Sequence, residues 1–162
     1  MTLDEARVAA RPIGPVTLDE TSLTAWGESI GRTVEPPVFL ALRGELGAGK
    51  SVLARAIARG AGVTGSMPSP TFNLVLRYDG RDDRVISHID LFRLDVPDDV
   101  WELGWSELGE AGEIVIVEWP ERAEALLPTE RWDILIRPAA DPLLRHVEAN
   151  PVGRPPGMPV PS

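Results

Sequence analysis

One octapeptide, Gly44-Glu45-Leu46-Gly47-Ala48-Gly49-Lys50-Ser51, restricts the fold more than any other stretch of this chain. It fits G-x-x-x-x-G-K-[ST] at every defined position, a pattern that works between a buried strand and the start of a helix. Both neighbours are readable. Val38 to Leu42 is an apolar run with no polar break, as expected of a strand buried on both faces. From Ser51 to Ala61 apolar residues at Val52, Leu53, Ala56 and Ile57 recur at helical spacing, and Gly60 and Gly62 supply a stop. Glycines let the backbone wrap an anion with its N–H groups inward, and the helix N-terminus adds the positive end of its dipole. In such a turn the Lys50 ammonium reaches the β- and γ-phosphates and the Ser51 hydroxyl ligates Mg²⁺. The expected nucleotide contacts are Glu45, Leu46, Gly47, Ala48, Gly49, Lys50, Ser51 and Val52.

Composition sharpens that reading. Fifteen of the sixteen basic residues are Arg, so Lys50 is the only lysine. Where a slim ammonium must fit among phosphate oxygens the chain uses Lys, and elsewhere Arg. A guanine-reading N-K-x-D motif and the β3 lysine of a protein kinase each need a second lysine, so both are excluded. A net charge of −9 argues against a protein that binds nucleic acid alone by neutralising phosphates. The absence of cysteine removes disulfides and thiolate chemistry, and two histidines are too few for a zinc centre. Residues 1–16 lack the continuous apolar stretch of a signal peptide, and the chain is expected to be soluble and cytoplasmic.

Taken in order, residues 1–15 read as a frayed lead-in, 16–149 as one P-loop ATPase domain, and 150–162 as a disordered tail with five prolines. Asp19 is placed to cap a helix to about Thr33, with Leu23, Trp26 and Ile30 facing a core. A long Gly/Ser/Pro-rich loop, Thr64 to Thr71, has the character of a functional connection. Residues 72–78 and 84–90 predict a β-hairpin around Asp79-Gly80, and 95–103 an acidic helix. Glu113 to Glu118 reads as the second fully buried strand, followed by a short helix (121–127) and a strand (132–136). The fold class is α/β: a three-layer P-loop NTPase sandwich, mainly a parallel sheet with an antiparallel hairpin. The ligand belongs at the carboxyl ends of the strands.

Such a site needs a carboxylate at a strand end for Mg²⁺ and a group to position the attacking water. Asp90 ends one apolar strand and Glu118 another, and each qualifies as catalytic or metal-holding group. Thr71 could sense the γ-phosphate or ligate Mg²⁺ as switch loops do. Trp119, beside Glu118, is placed to cover a pocket. His88 reads as a satisfied strand histidine, and Arg55, Arg59, Arg77 and Arg93 are not ranked by the sequence.

Four stretches then give a resemblance: G-E-L-G-A-G-K-S at 44–51, S-P-T-F-N-L-V at 69–75, H-I-D-L-F-R-L at 88–94 and I-V-E-W-P-E-R at 116–122. In this order and spacing the chain resembles the TsaE (YjeE) family, small bacterial ATPases of tRNA N6-threonylcarbamoyladenosine formation. The resemblance implies a P-loop α/β domain that uses ATP and Mg²⁺. It implies Thr71 as a switch residue near the metal, Asp90 as the Walker B-type carboxylate, and Glu118 with Trp119 as a sensitive pair. It also implies a TsaB–TsaD heterodimer as partner, reset by ATP hydrolysis, with tRNA contacted only indirectly. Ser51 stands where Thr is common and Phe92 where Tyr is common. Two other classes are to be tested against this reading. A small-molecule kinase would need an acceptor lid, and a non-hydrolysing adaptor would bind nucleotide without turnover.

Overall fold

The computed structural model describes residues 10–68 and 74–162. Thr71 and the Ser69–Asn73 part of the expected functional loop lie outside the described residues. The elements run β1 (Ile13–Asp19), α1 (Glu20–Thr33), β2 (Val38–Arg43), α2 (Lys50–Gly60), β3 (Val75–Asp79), β4 (Val85–Asp90), β5 (Glu113–Glu118), β6 (Arg131–Pro138) and β7 (Leu144–Val152). They form one sheet of order β1-β7-β6-β2-β5-β4-β3. The four central strands, β6-β2-β5-β4, are parallel, and β3 closes one side as the expected antiparallel hairpin partner of β4.

Period-two alternation along β2 explains the layers. Val38, Leu40 and Leu42 point to a core with Leu23, Trp26 and Ile30 of α1 and Leu53 and Ile57 of α2. Phe39 and Ala41 point the other way, to Val115, Val117, Leu91, Val100 and Trp105. Because both faces are covered, β2 and β5 need no polar alternation. Asp19 caps α1 as its side-chain type predicts, with the Ser22 N–H donating to Asp19 Oδ1 at 2.8 Å. The two helices approach closely at Gly31, where a Cβ would lie 1.9 Å from the Ile57 carbonyl oxygen.

The second layer differs from expectation. The acidic segment forms two 3-10 pieces, Pro97–Leu103 and Trp105–Glu107, broken at Gly104 with φ 79°. Only Val100 of the first piece is buried, too little apolar face to hold a regular helix. Pro120–Leu126 is likewise 3-10, interrupted where Ala123 takes φ −136°.

Two strands were missed. β1 starts inside the supposed lead-in, and β7 pairs with both β1 and β6 to build a second antiparallel edge. Gly14 and Pro15 hide β1, whose register shifts between Ile13 and Val16, as an edge strand tolerates. The tail expected to be disordered also has a set course: β7 includes Asn150 to Val152, and Pro155 and Pro156 are buried. Its backbone carbonyls answer two buried indoles. Trp132 Nε1 donates to Pro156 O at 2.7 Å and Trp26 Nε1 to Pro159 O at 2.8 Å. Composition suggested disorder because it registers few apolar side chains, while the order comes from backbone acceptors.

Two outcomes follow. Removing residues 154–162 strips both indole N–H groups of acceptors, and urea unfolding should show a loss of about 1–3 kcal/mol for each. Gly31→Ala should cost about 1–3 kcal/mol by overpacking the α1–α2 contact, read from the same titration.

Candidate nucleotide site

β2 delivers the chain to Gly44, and α2 starts at Lys50 with Gly49 as its N-cap. Gly49 sits at φ 116°, a left-handed conformation that favours glycine. No side chain caps this helix and its first turn carries no acid, so its N–H groups are left for an anion.

Parallel register aligns the strand ends beside this turn: Leu42 pairs with Glu118, and Glu118 with Asp90. Glu118 is 2% exposed and uses both oxygens. Ser51 Oγ donates to Oε1 at 2.9 Å, and His88 Nε2 lies 2.6 Å from Oε2. A carboxylate can only accept, so the His88 nitrogen carries the hydrogen. His88, set aside by the sequence reading as a satisfied strand residue, is satisfied by the site itself. The signal was its two-residue spacing from Asp90, which puts both on one face of β4. It is therefore Glu118, on the strand adjacent to β2, that touches Ser51; Asp90 lies one strand further out. Asp90 Oδ1 accepts from the Phe92 N–H at 2.9 Å. Burial raises its pKa above the ordinary value, and the Glu118 charge adds to the rise.

Lys50 is folded onto its own loop. It donates to the Gly44 carbonyl and, at 3.3 Å, to the Glu45 carbonyl. Its Nζ lies 3.5 Å from the centroid of the Trp119 ring. Burial lowers its pKa. Trp119 takes φ 58° and ψ 47°, a left-handed conformation that costs a bulky residue on the order of 1–3 kcal/mol. This turn places the indole over Lys50 and against Phe92, with centroids 4.9 Å apart. Glu45 and Leu46 form the outer lip, Leu46 being 78% exposed. At the base of the loop Arg43 pairs with Glu124 at 2.8 Å and Asp133 at 3.2 Å, joining β2 to the segment after Trp119 and to β6.

These groups line a cleft of about 310 Å³ that holds Gly47, Lys50, Ser51, Asp90, Glu118 and Trp119. Val52 and Gly49 line it too, as does one residue no motif marked, Arg145 of β7. Arg145 Nε donates to the Ala48 carbonyl at 2.7 Å. A second cavity of about 290 Å³, beside Phe39, Trp105 and Pro156, is remote from the turn and lacks a cation. Among the described residues no group of three or more His, Cys, Asp or Glu could hold a metal alone. The Ser51 hydroxyl with one or two carboxylates is instead the hard-oxygen set by which Mg²⁺ is held jointly with phosphate oxygens, so the donors fit that ion.

Strand, glycine turn and uncapped helix in a helix-covered, centrally parallel sheet define an α/β sandwich of the P-loop NTPase type. The family model described as "Threonylcarbamoyl adenosine biosynthesis protein TsaE" matches residues 17–146, and the chain belongs to that family, which takes part in tRNA threonylcarbamoyladenosine biosynthesis. It is 34% identical over 116 residues to the tRNA threonylcarbamoyladenosine biosynthesis protein TsaE of Treponema pallidum, covering 72% of this chain and 84% of that one. For the Haemophilus influenzae TsaE the identity is 32% over 123 residues, covering 73% and 76%. The crystal structure of Bacillus subtilis YdiB superposes with a TM-score of 0.68 at 25% identity, covering 90% of this chain and 89% of that one. No helix among the described residues is long and apolar enough to cross a membrane.

Because the folded-state pKa of Asp90 is raised, its ionisation costs the folded state at neutral pH, and the cost is relieved as pH falls through that raised value. Asp90→Asn should therefore raise Tm at pH 7.5 by about 1–3 °C, and the gap to the unsubstituted protein should close in acid. A thermal melt series from pH 7.5 to 4 checks both parts.

Proposed function

We propose that this protein is a Mg²⁺-dependent ATPase serving as accessory switch subunit of the TsaB–TsaD complex in forming N6-threonylcarbamoyladenosine at position 37 of tRNA. The observation that carries the reading is the chain Ser51–Glu118–His88 set against the glycine turn, with Lys50 at its mouth. The turn's N–H groups would hold the phosphates, and Lys50 would counter the charge developing toward the γ-phosphate. Mg²⁺, held by Ser51 and the adjoining carboxylates, with Thr71 the remaining candidate ligand, would supply Lewis acidity on the phosphate oxygens. His88 fixes the Glu118 carboxylate, so the Ser51 hydroxyl is held in place before nucleotide arrives. Asp90, next in line and raised in pKa, suits the role of positioning the attacking water and taking its proton.

The position of Lys50 supports slow turnover by the subunit alone. Binding must exchange the Gly44 and Glu45 carbonyls for phosphate oxygens and lift the ammonium from the Trp119 face. Trp119, on a strained backbone turn, is the group that must yield, and a partner docking over Leu46, Phe92 and Trp119 could drive that exchange. The net charge of −9 supports a protein partner over direct tRNA contact.

Phosphate release from ATP with Mg²⁺, measured for the protein alone and with the TsaB–TsaD pair, tests this. Release should be slow alone and faster with the pair. Lys50→Ala and Glu118→Gln should each reduce it by about 10²-fold or more. Tight ATP binding with no release in either mixture would leave a nucleotide-gated adaptor. Transfer to a metabolite hydroxyl instead of water would make it a kinase.

A further inference from the structure

The two flanks of β2 are chemically unequal. β5 and β4, on one side, bring Glu118 and Asp90; β6 and β7, on the other, bring one charged group to the cleft, Arg145. Arg145 sits on a strand paired on both sides, opposite Leu18 of β1 and Pro138 of β6, so its backbone is fixed. Its Nε is spent on the Ala48 carbonyl at 2.7 Å. Room for this comes from Gly49, where a Cβ would lie 2.9 Å from Nε and 3.3 Å from Cδ. Among the described residues no carboxylate pairs with Arg145, although the chain is strongly acidic. The result is a planar cation anchored along one edge on the lining of the cleft.

A triphosphate bound as proposed above has its γ-end beside Lys50, Glu118 and Asp90 and its middle on the turn's N–H groups. Its nucleoside must then leave across Gly49 and Val52, toward the flank where Arg145 stands. From this geometry we infer that Arg145 is the nucleoside-side contact, its guanidinium plane lying against the purine base. A guanidinium suits that task, because it is flat, weakly hydrated and stacks on π-faces while still donating hydrogen bonds at its rim. Ala48 sets the angle of the plane, so one residue links the base to the phosphate turn. The inference rests on the ATP-site reading and adds to it the residue that distinguishes a nucleotide from a bare polyphosphate.

The test measures Kd by calorimetry for Mg–ATP, Mg–ADP and inorganic tripolyphosphate, using the full chain, Arg145→Ala, Arg145→Lys and Lys50→Ala. Arg145→Ala should weaken ATP and ADP about tenfold and leave tripolyphosphate within about twofold. Arg145→Lys keeps a charge and a donor for Ala48 but loses the plane, so it should show the same selective loss and serves if the Ala variant folds poorly. Equal weakening of tripolyphosphate would mean that Arg145 only braces the loop, and unchanged ATP binding would mean that it touches nothing; either overturns the inference. Failure of the unsubstituted chain to bind ATP in a Lys50-dependent way would instead overturn the ATP-site reading, and this inference with it.

Discussion

The buried carboxylate of Glu118 ties the first turn of α2 to the two paired strands β5 and β4. It ends β5, accepts from Ser51 in the first turn of α2, and accepts from His88 of β4. At 2% exposure it is shielded from bulk solvent, so its position depends on keeping both donors. Removing either would leave a buried charge partly unsatisfied beside the glycine turn. The geometry of the turn and of the two inner strands is thus a single problem with a single solution. An active site needs that kind of preorganisation.

Around this knot the sheet is covered unequally. α1 and α2 form a tight layer whose contact at Gly31 leaves no room for a methyl group. The other layer consists of 3-10 pieces between glycine and proline breaks, with Trp101 half exposed and Phe92 at the cleft rim. Mobility tends to lie where buried apolar contacts are few, and this layer borders Trp119 and Asp90. The tightly packed side therefore carries the glycine turn, and the side built of short 3-10 pieces carries Trp119, whose ring covers Lys50.

How much was legible in the chain depended on whether the controlling contact is local. The glycine turn, its strand and its helix are encoded within about twenty residues, and Asp19 and Gly49 do what their types predict there. Asp90 and Glu118 were identifiable because apolar runs end at them. β1 and β7 were not, because Gly14, Pro15 and Pro151 break the pattern; β1 is the edge strand, which forgives such breaks, and Pro151 lies beyond the last pairing of β7 with β1. His88 was visible as a residue but not as a partner, since its acceptor lies thirty positions away.

The sequence by itself therefore determined the class of fold, the strand–glycine turn–helix unit and the family, because each is written in short-range pattern and side-chain type. Only the tertiary structure decided that Glu118 and not Asp90 meets Ser51. It alone carried Arg145 across ninety-seven positions to Ala48 and gave the proline-rich tail two buried indoles to satisfy. The reason is physical: strand order and register choose which distant groups become neighbours, and no local periodicity records that choice.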